Sequence, residues 1–310
     1  MNKALPYPLY RLAGWLLLAF IAPLFFVGGP DWASGLLFKS AWNLGHILFF
    51  GLLTWMVRPW RWVAGWRLWL GVTLVVLAAG ALIESFQHAF NLDVEWHDML
   101  RNLIGSWLVL AWAPRRGVSA RSRGVGRGLR SVTTLLLLYE LALVGMVAFQ
   151  QWQVAHQLPL VYDFSQEQPA DFWHGSVTAS TEHATTGTYS LRIALGTENY
   201  SGISLYNLPE DWTGYRYLDL RFFLPDKTAL SITLRVNDRR HDRGTGAYSD
   251  RFNTRLELHP GSNHIRIPLK AVAEAPANRP MDMDDIRRLG LFTTSLEQPR
   301  TLYLQGIELN

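Results

Sequence analysis

Residues 217–236 read YLDLRFFLPDKTALSITLRV. Leu218, Leu220, Phe222 and Leu224 alternate with Tyr217, Asp219, Arg221 and Phe223. After the turn signal Pro225-Asp226 the alternation resumes, with Ile232, Leu234 and Val236 set against Thr233, Arg235 and Asn237. A period of two marks strands that bury one face. The same signature recurs at Tyr189 to Leu195 and Ile203 to Leu208, at Ile265, Ile267 and Leu269, and at Leu302 to Leu309. Thr186-Gly187, Asp211 to Gly214 and Pro260-Gly261 separate these runs. Many short strands at this spacing predict an all-β jelly-roll sandwich over 161–310. A stretch of roughly 150 residues is enough to enclose one core.

Toward the N-terminus the composition changes. The 310 residues average 49% hydrophobic and 17% charged, but the first half is rich in Leu, Trp and Phe and nearly free of acids before Glu84. A transmembrane helix needs about 20 mostly apolar residues. Five segments are read as spans: Arg11 to Val27, Ala41 to Val57, Leu68 to Phe86, Met99 to Ala113 and Ser131 to Phe149. Basic residues gather in alternate connections: Lys3 and Arg11; Arg58, Arg61 and Arg67; Arg115 to Arg130. Basic loops stay cytoplasmic, so the N-terminus is expected inside and the sandwich outside. The net charge of +4 therefore reads as topology rather than nucleic-acid affinity, and with no cysteines there are no disulfides. The expected organisation is a transmembrane bundle over 1–113, a basic cytoplasmic linker over 114–130, a fifth transmembrane helix over 131–152, a short linker over 153–160 and an extracytoplasmic β-sandwich over 161–310.

Ionisable groups at the edge of a span are costly and mark candidate sites. His46, Glu84, Gln87, Asp98 and Asn102 all fall at the outward end of their spans. Helical spacing puts Glu84 with Gln87, and Asp98 with Asn102 and Gly105, on common faces. The five polar groups form a candidate catalytic or binding pocket, or they hydrogen-bond one another only to fasten the helices. No metal-ligand or nucleophile motif accompanies them, so no cofactor or metal is expected. Gly45-His46 followed by Phe49 and Leu53, then Glu84-x-x-Gln87 and Asp98-x-x-x-Asn102-x-x-Gly105, resembles the VanZ-like family of small bacterial membrane proteins. That family is associated with low-level resistance to teicoplanin-type glycopeptides, and the resemblance covers roughly Leu16 to Trp112. It departs at Asn43, where the family often has Lys, and between Gln87 and Asp98, where the family often has Arg.

The sandwich half resembles the galactose-binding-like jelly roll used by many carbohydrate-binding modules. The likeness rests on Tyr162-Asp163-Phe164, Gly187-x-Tyr189-Ser190-Leu191-Arg192, Tyr217 to Leu220, Pro260 to Leu269 and Leu302 to Ile307. The candidate ligand-binding residues are Arg235, Asn237, Asp238, Arg239, His241, Tyr248, Asp250 and Arg251. They form a long charged stretch after a core strand, and the plainer alternative is a loop whose Arg and Asp residues pair with each other. Trp173, Tyr200, Trp212 and Tyr248 are the aromatics considered for stacking on sugars. The leading expectation is a multi-pass protein of the bacterial inner membrane, with the bilayer and a cell-wall or surface glycan as partners. The alternatives are an enzyme or transporter acting at the His46/Glu84/Asp98 pocket, and a membrane-anchored protein-interaction module.

Overall fold

The computed structural model describes residues 7–25, 34–89, 96–113 and 120–310; the side chains of residues 7, 8, 25, 84, 86–89 and 120–123 lie outside that description. The chain divides into two units, 1–149 and 150–310.

The first unit is helical: α1 Tyr7–Ile21, α2 Leu36–Val57, α3 Trp66–Ala89, α4 Trp96–Trp112 and α5 Ala120–His156, whose final turns belong to the second unit. α2 ends where Arg58 takes the left-handed conformation and its N–H caps the Thr54 carbonyl, with Pro59 following. Proline cannot continue the helix. Among the described residues three helical segments, 36–61, 66–83 and 124–156, are long and apolar enough to cross a membrane, and residues 9–24 form a shorter apolar helix. α4 has 17 residues and buries Asp98, Asn102 and Ser106 along one stripe, so it falls below that measure. Leu12, Phe20, Leu48, Leu74, Val75 and Leu135 point outward on these helices. α5 is continuous, so 120–130 and 153–156, expected as parts of two linkers, are helical. Extending a formed helix costs far less than nucleating one, and the apolar run 131–149 supplies the nucleus.

The second unit is a sandwich of two five-stranded antiparallel sheets, ordered β1-β4-β9-β6-β7 and β2-β3-β10-β5-β8. The strands are β1 Trp173–Gly175, β2 Val177–Ser180, β3 Ser190–Leu195, β4 Ser201–Leu205, β5 Tyr217–Leu224, β6 Leu230–Asp238, β7 Phe252–Leu258, β8 Gly261–Pro268, β9 Ile286–Thr293 and β10 Arg300–Leu309. Two short helices, α6 Arg239–Arg243 and α7 Leu269–Ala273, lie between strands. Leu218, Leu220, Phe222, Leu224, Ile232, Leu234 and Val236 are all buried between the sheets, as the alternation requires. Each such side chain contributes about 1.5–3 kcal/mol by leaving water. Leu269 is also buried, but as the first residue of α7 and not as a strand residue, because Pro268 ends β8. Val154 from the last turns of α5 joins the same core.

Trp173 and Trp212 are fully buried, which removes them as sugar platforms. Trp173 and Phe164 pack edge-on against Tyr162, and the Trp212 indole N–H donates to the Pro209 carbonyl. Asp219 is the one strand residue of the opening stretch that is buried against its parity. Arg266 grips its carboxylate at 2.8 and 2.9 Å, and His264 and Asn310 add further contacts. This grip holds Asp219 well down, to about 2.

Candidate functional site

The side chains of β1-β4-β9-β6-β7 that point away from the core make one continuous face. Register places His174 opposite Ser204, Ser204 opposite Gly290, Gly290 opposite Arg235, and Arg235 opposite Asn253. One row along, Arg288 lies opposite Asn237, and in the other direction Phe292 lies opposite Thr233. Glycine at 290 leaves the centre of the face low, with the Arg235 and Ser204 side chains on either side.

Arg235 is half-buried, and its guanidinium is held by two neutral acceptors. Nε donates to Asn237 Oδ1 at 3.0 Å and Nη2 to His241 Nε2 at 3.2 Å. Accepting that bond leaves His241 Nδ1 to donate to the Asp250 carbonyl at 3.1 Å, the pattern of a neutral imidazole. Burial, aided by Arg235 and Arg251, accordingly holds His241 below the usual histidine range. Burial, with Arg251 and Arg288 adding repulsion, pushes Arg235 down to about 10. Arg251 lies over the Tyr248 ring at 5.3 Å. Arg251 Nε and Asn253 Oδ1 are buried with no hydrogen-bond partner. Tyr200 and Tyr248 are well exposed; Tyr200 sits 5.9 Å from Phe292, and His174 stacks on Tyr206 at 4.1 Å.

The eight residues expected at this site separate into two groups. Arg235, Tyr248 and Arg251 reach the face. Asn237, Asp238 and His241 are buried, and Asp238 caps α6 by accepting from the His241 N–H. Asp238 also binds Arg279 at 2.5 and 2.8 Å and accepts the Asp282 N–H. Asp250 binds the other edge of Arg279, and Arg239 pairs with Asp285 and Glu210. These five are engaged by contacts within the sandwich, and a buried carboxylate such as Asp238 is stable only with its partners in place. His174, Ser204, Tyr206, Arg288 and Phe292 belong to the face and were absent from the sequence reading. Strand pairing collects them from three distant stretches, a relation that no local pattern carries.

In the helical unit, three of the five predicted groups meet. His46 Nδ1 lies 2.9 Å from Asn102 Oδ1, and Nε2 lies 3.3 Å from Asp98 Oδ2. Arg101 donates to Asp98 at 2.6 Å and to Glu140 of α5 at 3.0 Å. Glu140 and Arg101 were missed, although a lone acid inside the apolar run 131–149 is a visible signal. Below this network Thr54 donates to Ser106 at 3.0 Å. The side chains of Glu84 and Gln87 lie outside the described residues. No group of three metal-ligating side chains occurs among the described residues.

No family model matches the chain, and no curated protein matches it. Among solved structures it is similar to a family 11 carbohydrate-binding module from Clostridium thermocellum in complex with a β-1,3-1,4-mixed-linked tetrasaccharide, at 14% identity over 44% of this chain and 82% of that one, with a TM-score of 0.34. It is also similar to a carbohydrate-binding module specific for non-crystalline cellulose, at 12% identity over 49% of this chain and 93% of that one, with a TM-score of 0.34. An exo-β-agarase matches at 16% identity over 49% of this chain and 24% of that enzyme, with a TM-score of 0.38.

Proposed function

We propose that this chain is a bacterial inner-membrane protein that presents a glycan-binding sandwich outside the cytoplasm. The observation that carries the glycan reading is the outward face of β1-β4-β9-β6-β7. It joins exposed tyrosines to guanidinium and amide groups on a rigid sheet, the mixture that holds a sugar ring by stacking and by hydrogen bonds. The membrane reading rests on the three long apolar helical segments, the apolar side chains facing outward on them, and the alternation of basic loops. In that reading the helical unit is VanZ-like, with Asp98, Asn102 and Gly105 on one face of α4. Its His46, Asp98, Arg101 and Glu140 bond to one another, an arrangement that favours helix fastening over turnover.

The test uses the full chain in detergent micelles against a panel of soluble polysaccharides, by calorimetry. At least one glycan is expected to bind saturably, and Tyr200→Ala and Tyr248→Ala are each expected to weaken it about tenfold. Binding unchanged in both variants would place the site elsewhere. The topology is tested by reporter fusions. A reporter active only outside the cytoplasm is expected to be active after Asn310 and silent after Arg116, and the reverse pattern would overturn the orientation.

A further inference from the structure

We infer that the sheet face selects an acidic polysaccharide, one whose sugars carry carboxylate or sulfate groups; this inference rests on the glycan reading of the same face. The argument is one of uncompensated charge. By strand alternation, β7 presents Asn253, Arg255 and Glu257 on the face, with the extended residue Arg251 directly ahead of it; β6 presents Arg235, and β9 presents Arg288. Four guanidinium groups thus share the face with one carboxylate, Glu257, which lies at its far end opposite Ser231. Arg288 pairs with Asp242 at 3.6 Å, so the uncompensated charge lies on the other guanidinium groups. Among the described residues Arg235 and Arg251 have no carboxylate within ion-pair distance, although Asp242 attracts Arg235 from further off: the first is held by an amide and an imidazole, the second lies on a phenol ring.

Half-buried arginines with neutral partners repel one another, and the unpartnered Arg251 Nε and Asn253 Oδ1 add unused hydrogen-bonding capacity beside them. A planar fork of N–H donors matches a carboxylate or sulfate edge, and such charge-assisted bonds are roughly twice as strong as neutral ones. A ligand bearing one negative group per sugar would offset the repulsion while its rings lie on Tyr200 and Tyr248. A neutral glycan would leave the repulsion in place, and a free anion would leave the aromatic rings unused.

The experiment titrates the full chain in micelles with polygalacturonate, dextran sulfate, neutral mixed-linkage β-glucan and inorganic sulfate, at low and at high salt. An acidic polymer is expected to bind at least tenfold more tightly than the neutral one, with affinity falling as salt rises. Arg251→Gln is expected to remove most of that preference. Because Arg235 also orders His241, Arg235→Lys is the second variant; it keeps the charge and loses the fork, and a partial loss is expected. Equal or tighter binding of the neutral glucan would overturn the acidic preference and leave the glycan reading standing. Inorganic sulfate matching the polymers site for site would overturn the saccharide assignment. Failure of all four to bind would overturn the acidic preference, and the glycan reading would then be decided by the wider neutral panel.

Discussion

Replacing Gly105 by leucine is expected to prevent the helical unit from assembling. A Cβ at residue 105 would lie 2.2 Å from the Ile47 carbonyl oxygen and 2.9 Å from the Gly51 nitrogen. Both obstacles are backbone of α2, so no side-chain rotation relieves them. Gly51 faces Gly105 in return, and a Cβ there would already be 3.3 Å from the Gly105 oxygen. Glycines at such a crossing let two helices approach at backbone distance. Overpacking a core costs about 1–3 kcal/mol where side chains give way, and more where the backbone must move. Separating α2 from α4 would also break His46 from Asn102 and Asp98, and Thr54 from Ser106. The expected readout is aggregated or early-eluting protein on size-exclusion chromatography in detergent. Gly71→Ala is the control: nothing lies within 4 Å of its added methyl, and alanine favours the helix. A Gly105→Leu protein that elutes and melts like the parent would mean that the two helices do not cross there.

The sandwich has its own fastening point at Asp238, and Asp238→Ala is expected to cost about 3 kcal/mol. The carboxylate is fully buried and joins the end of β6, the first turn of α6 and the segment around Arg279 and Asp282. Removing it leaves Arg279 with Asp250 as its carboxylate partner and strips α6 of its cap. For a unit of this size the loss corresponds to a fall of roughly 10 °C in the melting temperature. The same group gives an acid dependence. Burial alone would raise its pKa, but Arg279 and the Asp282 and His241 N–H groups outweigh burial, and the net shift is downward. A carboxylate more acidic in the folded than in the unfolded chain stabilises fully above the unfolded value of about 3.9. That stability fades as pH falls through the lower, folded value. The parent is therefore expected to lose melting temperature between pH 5 and pH 2 more steeply than Asp238→Ala, with Asp219 and Asp211 adding to the slope in both proteins. Parallel pH profiles in the two proteins would remove Asp238 as the source.

The strands that alternate cleanly were legible from the residues alone, and β9 was not. Its core residues are Ile286, Leu289 and Leu291, with Arg287 and Arg288 between the first two. The pairing of β6 with β9 slips between Asn237 and Asp238. Such an irregularity places an extra residue in one strand, so two core positions fall three apart and the period of two is lost. The start of β7 reads as an extension of the charged stretch because Arg251 before it and its outward residues Asn253 and Arg255 hide the inward Phe252, Leu256 and Leu258. The same stretch hides its internal partners. Asp238, Arg239 and Asp250 pair with Arg279, Asp285 and Glu210, which arrive from elsewhere in the chain. In the helical unit helical spacing groups Asp98 with Asn102, and the placement of all three at the same end of their spans brings His46 to them. Arg101 and Glu140 do not follow in this way, because their pairing depends on how α5 packs.

The order of β2-β3-β10-β5-β8 carries a consequence for biogenesis. The middle strand of that sheet, residues 300–309, is the last of the ten to leave the ribosome. Until it emerges, β3 and β5 face each other across a missing strand, each with an unsatisfied row of backbone donors and acceptors. That sheet therefore cannot be completed as it is synthesised; it must wait for its final strand. Throughout that interval its open edges are the places where another chain could add, and a factor that shields them would act before residue 309 has emerged.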